Sequence, residues 1–360
     1  MTSLVSTAGF DNPRWREKVF SAASRDYSWL DVFLAAMLRG EWRVFERRLV
    51  EGLACLMEAE TRQWWPDAKH IEEAATAFRY ERDLLTTDET VAWLERTGLT
   101  LDDWTDFLMR RLLREQWDDH IETLVRRHAP GAPTDSAVLA EGICSDVFDQ
   151  WLRTLAGRAA VAAARSAAAS LSPADPDRVR EILTEYAAWL PSPGSTDLVR
   201  RVTHLSQLEA TFQEQASESR TPEALASQLA RNRLDWMRVD LERLAFDEVD
   251  AAREAAWCVR EDGMTLSEVA IESRMSVRDT RELLERLDPE LREAVLGASV
   301  DQLIGPLQVG DRHEVAWVVG KAAAELSDPL VLARAEEAAL EQLVSKAILA
   351  HVRWVERPRM

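Results

Sequence analysis

Histidine and cysteine are scarce in this 360-residue chain, at six and three. Cys55, Cys144 and Cys258 are scattered, odd in number and form no C-x-x-C pair, which excludes a disulfide framework and a thiolate zinc site. Asp118-Asp119-His120 has no second His at ligand spacing, so no metal and no cofactor is implied. Glycine and proline, 13 each, are too few for a low-complexity chain, and 46% apolar residues exclude a disordered one. Positive charge is in deficit: 44 Lys and Arg against 63 Asp and Glu leave a net charge of −19. Phosphate backbones need a basic surface, so no nucleic-acid partner is expected, whereas a basic partner would be attracted. Long apolar runs are missing as well. The alanine-rich run Ala159 to Ala169 is broken by Arg165 and is too short to span a bilayer. Met1 to Arg14 carries Asp11 and Pro13 and lacks the basic-then-apolar pattern of a signal peptide. A cytoplasmic protein with no membrane partner is the expectation. P-loop, dinucleotide and serine-elbow motifs are absent too.

What is present is helical periodicity. Residues 11 to about 220 read almost entirely as helix: Trp29, Phe33, Ala36 and Met37, then Val44, Phe45, Leu49, Leu53 and Leu56, recur at three-and-four spacing. Thr87-Asp88-Glu89-Thr90 opens a short helix with an acidic first turn, and Gly98 closes it. Pro130-Gly131-Ala132-Pro133, Ser172 to Pro176 and Pro191 to Ser195 are breaks. Of Trp64 and Trp65, about 100° apart on a helix, at most one is expected to be fully buried.

The pattern changes at Trp236. Trp236 to Phe246 alternates apolar and charged residues, which is strand periodicity. A helix over Asp247 to Arg260, a turn at Gly263 and a second helix from Leu266 follow, and Arg278 to Arg286 reads as charged and helical. Asp288 caps a helix with Pro289 in its first turn. Gly305-Pro306 reads as a breaker before a strand with His313, Val315, Trp317 and Val319 on one face. Asp328-Pro329 starts a long helix running towards Trp354. Trp236, Trp257 and Trp317 are expected in the core.

A Pro-Glu helix (Pro289-Glu290), a Gly-Pro turn (Gly305-Pro306) and a Gly-x-x-His strand (Gly310 to His313) in this order resemble the end of the parvulin-type peptidyl-prolyl isomerases. The phrase Ala77-Phe78-Arg79-Tyr80-Glu81-Arg82-Asp83-Leu84-Leu85, followed by Trp93-Leu94 and Gly98-Leu99-Thr100, resembles the helical N-terminal region of SurA-type chaperones. The fold this implies is mainly α with a small α+β module. A SurA-like helical domain would span 1–220 and a parvulin-like domain 232–322, with a C-terminal helix, 327–357, packing back on the helical domain.

In that resemblance His313 falls where the family keeps the second of two active-site histidines. The first falls near Asp240, Leu241 or Glu242, none of them His. The wall Met falls on Leu287, and the wall Phe residues fall on Leu291 and Leu296. The resemblance therefore implies a module that holds a peptide and has lost the chemistry. No catalytic residue is assigned, His313 being a vestigial candidate, and the peptide-binding candidates are Arg238, Asp240, Glu242, Leu287, Leu291, Leu296, His313 and Trp317. The strand Trp236 to Phe246 is expected to offer a sheet edge.

The function this points to is a non-catalytic, chaperone-like accessory protein that holds a precursor peptide during maturation of a ribosomal peptide natural product. Its partner is a peptide or unfolded polypeptide client, and the sequence leaves the oligomeric state open, a homodimer included. One alternative is an active prolyl isomerase or foldase with an altered residue set. The other is a helix-turn-helix regulator at Leu266 to Leu287, whose would-be recognition helix, Arg278 to Leu287, balances three Arg against Asp279, Glu282 and Glu285.

Overall fold

The computed structural model describes residue 10, residues 13–166 and residues 170–355. Most of the Met1 to Arg14 stretch, the end of the alanine-rich run and residues 356–357 of the expected C-terminal helix lie outside the described residues. Among those described, no helix is long and apolar enough to cross a membrane. The chain forms two compact units. One comprises Met1–Gln215 and Val344–Met360, the other Ala216–Leu343.

The first unit opens with an antiparallel hairpin, β1 (Lys18–Ala22) and β2 (Arg25–Ser28). Residues 11–220 read as almost entirely helix, and this hairpin is a departure from that reading. Val19 and Phe20 are both buried, so the short strand lacks the apolar–polar alternation that would reveal it. Ten helices follow: α1 (Trp29–Leu38), α2 (Glu41–Arg62), α3 (Ala68–Glu81), α4 (Thr87–Thr97), α5 (Leu101–Gln116), α6 (Ile121–His128), α7 (Asp135–Cys144), α8 (Val147–Ser166), α9 (Pro176–Glu185) and α10 (Thr196–Glu218).

Every residue of α1 is buried, which its sequence permits because Asp31 is its one polar residue. The Asp31 carboxylate is fully used: it accepts from the Ser28 N–H at 2.8 Å and from Arg201 at 2.9 Å. Around α1 the rings interlock, Phe33 stacking on Phe10 at 5.0 Å and Trp42 meeting Trp189 edge-on at 5.2 Å. In α4, Thr86 and Glu89 form a capping box, and Gly98 ends the helix in the left-handed region at φ 68°. Val44, expected on the apolar stripe of α2, is 66% exposed instead.

The second unit contains α11 (Pro222–Arg231), β3 (Arg238–Phe246), α12 (Val249–Glu261), α13 (Leu266–Glu272), β4 (Arg278–Leu283), α14 (Pro289–Gly297), β5 (Leu303–Val309), β6 (Arg312–Ala322) and the start of α15 (Pro329–His351). Its four strands form one antiparallel sheet in the order β4-β3-β6-β5. Successive side chains point to opposite faces, so each face is covered separately. Val239, Leu241, Ala316 and Val318 pack with Leu291 and Val295 of α14. Leu244, Phe246 and Val315 pack on the other face with Ala252 and Ala256 of α12 and Val269 of α13. The buried parity of β3 thus switches across Glu242-Arg243, because different helices cover its two ends on opposite faces.

Several expectations change here. Arg278–Leu283 is strand β4, and only Leu284–Arg286 makes a helical turn, of 3-10 type. The helix-turn-helix reading fails with it, since the would-be recognition helix is a strand. Gly305-Pro306 is not a turn but lies inside β5, joined by a cis peptide bond. Gly305 has φ 96°, and a Cβ there would sit 2.5 Å from the Glu314 carbonyl oxygen, so only glycine fits. Val319 drops out of the expected face: the β3–β6 ladder pairs Asp240 with Gly320 and Leu241 with Val318, leaving Val319 as a bulge. Trp257 is 66% exposed rather than core, while Trp236 is buried. Finally, α15 ends at His351, and the chain continues as β7 (Val352–Trp354), which pairs with β1 in the first unit through Phe20 and Trp354.

Candidate functional site

β3 lies at the centre of the sheet, and this decides how its residues can act. Arg238 donates to Asp328 at 2.5 Å and stands 3.5 Å from Asp240, which in turn pairs with Arg281 at 3.2 Å. Burial works to raise the Asp328 carboxyl, but hydrogen bonds from the Leu330 N–H and from Arg238 outweigh it and hold it below the usual carboxylate range. Arg238 and Asp240 are therefore committed to an ion network that ties β3 to β4 and to the residue before α15. Glu242 sits opposite Trp317 in the β3–β6 ladder, and His313 opposite Phe246.

The sequence-derived site residues do not converge. His313, Trp317, Glu242, Asp240 and Arg238 share the face that α12 and α13 partly cover. Leu287 and Leu291 belong to the opposite face, packed against Val239, Leu241 and Val318. Both leucines are buried and fill a core rather than line an open groove, and Leu296 is 41% exposed. Leu241, near the position of the family's first histidine, is also buried in that core. Between Ala216 and Leu343 His313 is the one histidine of the chain, so two imidazoles cannot meet within this unit.

The expected edge strand is corrected too. β3 is paired on both sides, so Trp236 to Phe246 offers no edge; the sheet ends at β4 and β5. β5 carries Pro306, which has no N–H, and the Gly305 carbonyl accepts from Arg260 at 2.7 Å. β4 pairs with β3 over six residues, Arg278 to Leu283, and among the described residues its other side has no strand partner. An unpaired edge of six residues carries backbone donors and acceptors at strand spacing and serves as a template for an added strand.

A concave feature lies wholly in the first unit and was not singled out from the sequence as a site. A cavity of about 490 Å³ opens between the α3–α4 loop, the end of α4 and the α7–α8 turn. Its apolar lining comes from Trp29, Leu84, Trp93, Ile143 and Phe148, beside charged residues that include Asp83, Arg96 and Asp149. At its rim Arg82 donates to the Cys144 carbonyl at 2.6 Å and to Asp146 at 2.7 Å, and its guanidinium lies 3.9 Å from the Phe78 ring centroid. A signal was present: Arg82, Asp83 and Leu84 fall inside the phrase that carries the SurA-type resemblance, and Trp93 follows it.

No family model matches the chain, and no curated protein does. Two solved structures are similar in part. The foldase protein PrsA from Streptococcus pneumoniae is 11% identical, with 60% of this chain and 89% of that one covered at a TM-score of 0.28. A chain from Campylobacter jejuni, from work on PEB4 and Cj1289 as SurA-like chaperones, is 8% identical, with 76% and 96% covered at 0.18. At these scores the fold rests on the elements themselves: a mainly helical chain whose second unit runs strand, two helices, strand, helix, strand, strand around one antiparallel sheet.

Proposed function

We propose that this protein holds an extended peptide and does not catalyse prolyl isomerisation. The observation that carries the reading is the open β4 edge in a unit whose lone histidine, His313, is remote from the α14 face. Strand addition draws affinity from main-chain hydrogen bonds and specificity from alternate side chains, so it needs no catalytic group. The client is a precursor peptide of a ribosomal peptide natural product, and the protein acts in the cytoplasm as an accessory to its maturation. Arg278, Asp279, Arg281 and Glu282 place charges of both signs along the edge, which disfavours indiscriminate pairing with apolar strands.

The test is titration calorimetry with a synthetic precursor peptide and with a scrambled version of it. The expected result is micromolar binding of the first, about −8 kcal/mol, and much weaker binding of the second. Equal affinity for both, or for neither, overturns the reading.

A further inference from the structure

We infer that the open edge of β4 is a self-association surface: two copies of this chain pair there, strand against strand and antiparallel, about a two-fold axis at Thr280. The ladder fixes which backbone groups face the edge. The Leu284 N–H donates to the Met237 carbonyl at 2.9 Å, and the β3–β4 register then runs without a shift from Leu283 opposite Arg238 to Arg278 opposite Arg243. Hydrogen-bonded and non-hydrogen-bonded pairs alternate along an antiparallel ladder. Glu282, Thr280 and Arg278 therefore direct their main-chain groups to β3, while Asp279 and Arg281 direct theirs to the open side. Both of these residues are exposed.

A second β4 can use those groups only where outward residues of one copy lie opposite outward residues of the other. This places a two-fold axis on a residue rather than between two. Centred on Arg278, Asp279, Arg281 or Glu282, the axis sets a charged residue against its own copy. Centred on Thr280 it does not: Asp279 then meets Arg281, Arg278 meets Glu282, and Thr280 meets Thr280. Opposite charges across a ladder attract, as do paired threonines. The Asp279–Arg281 pairs are the ones that exchange main-chain hydrogen bonds. Charges of one sign would keep such an edge solitary, whereas this order of charges is its own complement.

Within the chain the same charges are poorly matched. Arg278 stands opposite Arg243 and Asp279 opposite Glu242, and like charges across a ladder repel. Arg243 is held by Glu314, but Arg278, Asp279 and Glu282 have no ion-pair partner among the described residues. Arg281 turns its Nε to Asp240 at 3.2 Å, which leaves the ends of its guanidinium for a second carboxylate. Thr280 is buried, and its hydroxyl has no hydrogen-bond partner among the described residues. Non-hydrogen-bonded pairs bring side chains closest, so at the axis each Thr280 hydroxyl finds a donor and an acceptor in its copy. This pairing stands independently of the peptide-holding reading but uses the same edge, so a second copy and an extended client exclude each other there.

Sedimentation velocity of the full chain over a range of concentrations tests the pairing. The parent should show a reversible monomer–dimer equilibrium. Arg281→Asp sets carboxylates face to face across the axis, and Asp279→Arg sets guanidiniums face to face. Each should weaken the dimer about tenfold or more. An equimolar mixture of the two variants restores opposite charges at both sites and should dimerise within a few-fold of the parent, a rescue that misfolding of either variant cannot produce. A parent that stays monomeric up to about 1 mM, a dimer that neither variant weakens, or variants that stay apart when mixed overturns the pairing. Client binding in calorimetry would then leave the peptide-holding reading standing alone. A dimer that passes the rescue while no client binds leaves the pairing standing and removes that reading.

Discussion

Arg243 of β3 and Glu314 of β6 form a nearly buried ion pair, Nε donating to Oε2 at 2.7 Å, with 11% of each side chain exposed. The pair shares a sheet face with Val239, Leu241 and Val318, which pack against α14, so it places opposite charges beside an apolar cluster. Breaking a buried pair leaves one charge without compensation. Glu314→Ala should therefore lower the stability of the second unit by about 3–5 kcal/mol in urea unfolding, whereas Arg243→Met combined with Glu314→Leu should be near neutral. A Glu314→Ala variant as stable as the parent would contradict this assignment.

Isomerase activity should be at background. His313 faces Phe246 on the α12 side of the sheet, while Leu241 and Leu291 fill the α14 side. A proline tetrapeptide assay should show no acceleration of cis/trans exchange by the parent chain and no change in His313→Ala. A robust rate lost in His313→Ala would restore the isomerase alternative.

His204 should make the helical unit acid-sensitive. Its Nε2 lies 3.0 Å from the Tyr27 hydroxyl, and burial, with help from Arg25, drives its pKa from 6.5 down to about 4. The folded state keeps the ring neutral while the unfolded chain takes up a proton. Its contribution is complete above about pH 6.5 and is lost as pH falls towards 4. After allowance for its partial exposure this amounts to about 1–2 kcal/mol. His204→Gln should flatten the fall in melting temperature over that window, and an unchanged slope would place the acid sensitivity elsewhere.

Client charge should set the speed of association. With a net charge of −19, the chain steers basic segments, so stopped-flow on-rates for a Lys-rich client should fall steeply with salt. Rates indifferent to ionic strength would mean that the acidic surface plays no part in capture.

The mainly helical first unit and the strand character of β3 and β6 were legible because their apolar residues recur at the right period over long stretches. β4 was not. Thr280 and Leu283 are its buried residues, and their spacing of three imitates a helix face. The central place of β3 was also hidden, because pairing with β4 and β6 is non-local and leaves no mark within Trp236 to Phe246. The same holds for the split between His313 and Leu291: it depends on the parity switch at Glu242-Arg243, which two different helix layers impose. The cavity escaped notice because the fold assembles it from Trp29, Trp93 and Phe148, far apart in sequence.

Strand addition at β4 is tested most directly by calorimetry with backbone-modified client peptides. Two versions of the precursor peptide would carry N-methyl groups on alternate amides, one in each register. A strand added to an edge uses every second amide in the ladder and turns the rest to solvent. One register should therefore abolish binding while the other retains it within a few-fold. Equal loss in both registers, or no loss in either, would contradict capture of the peptide as a strand on β4.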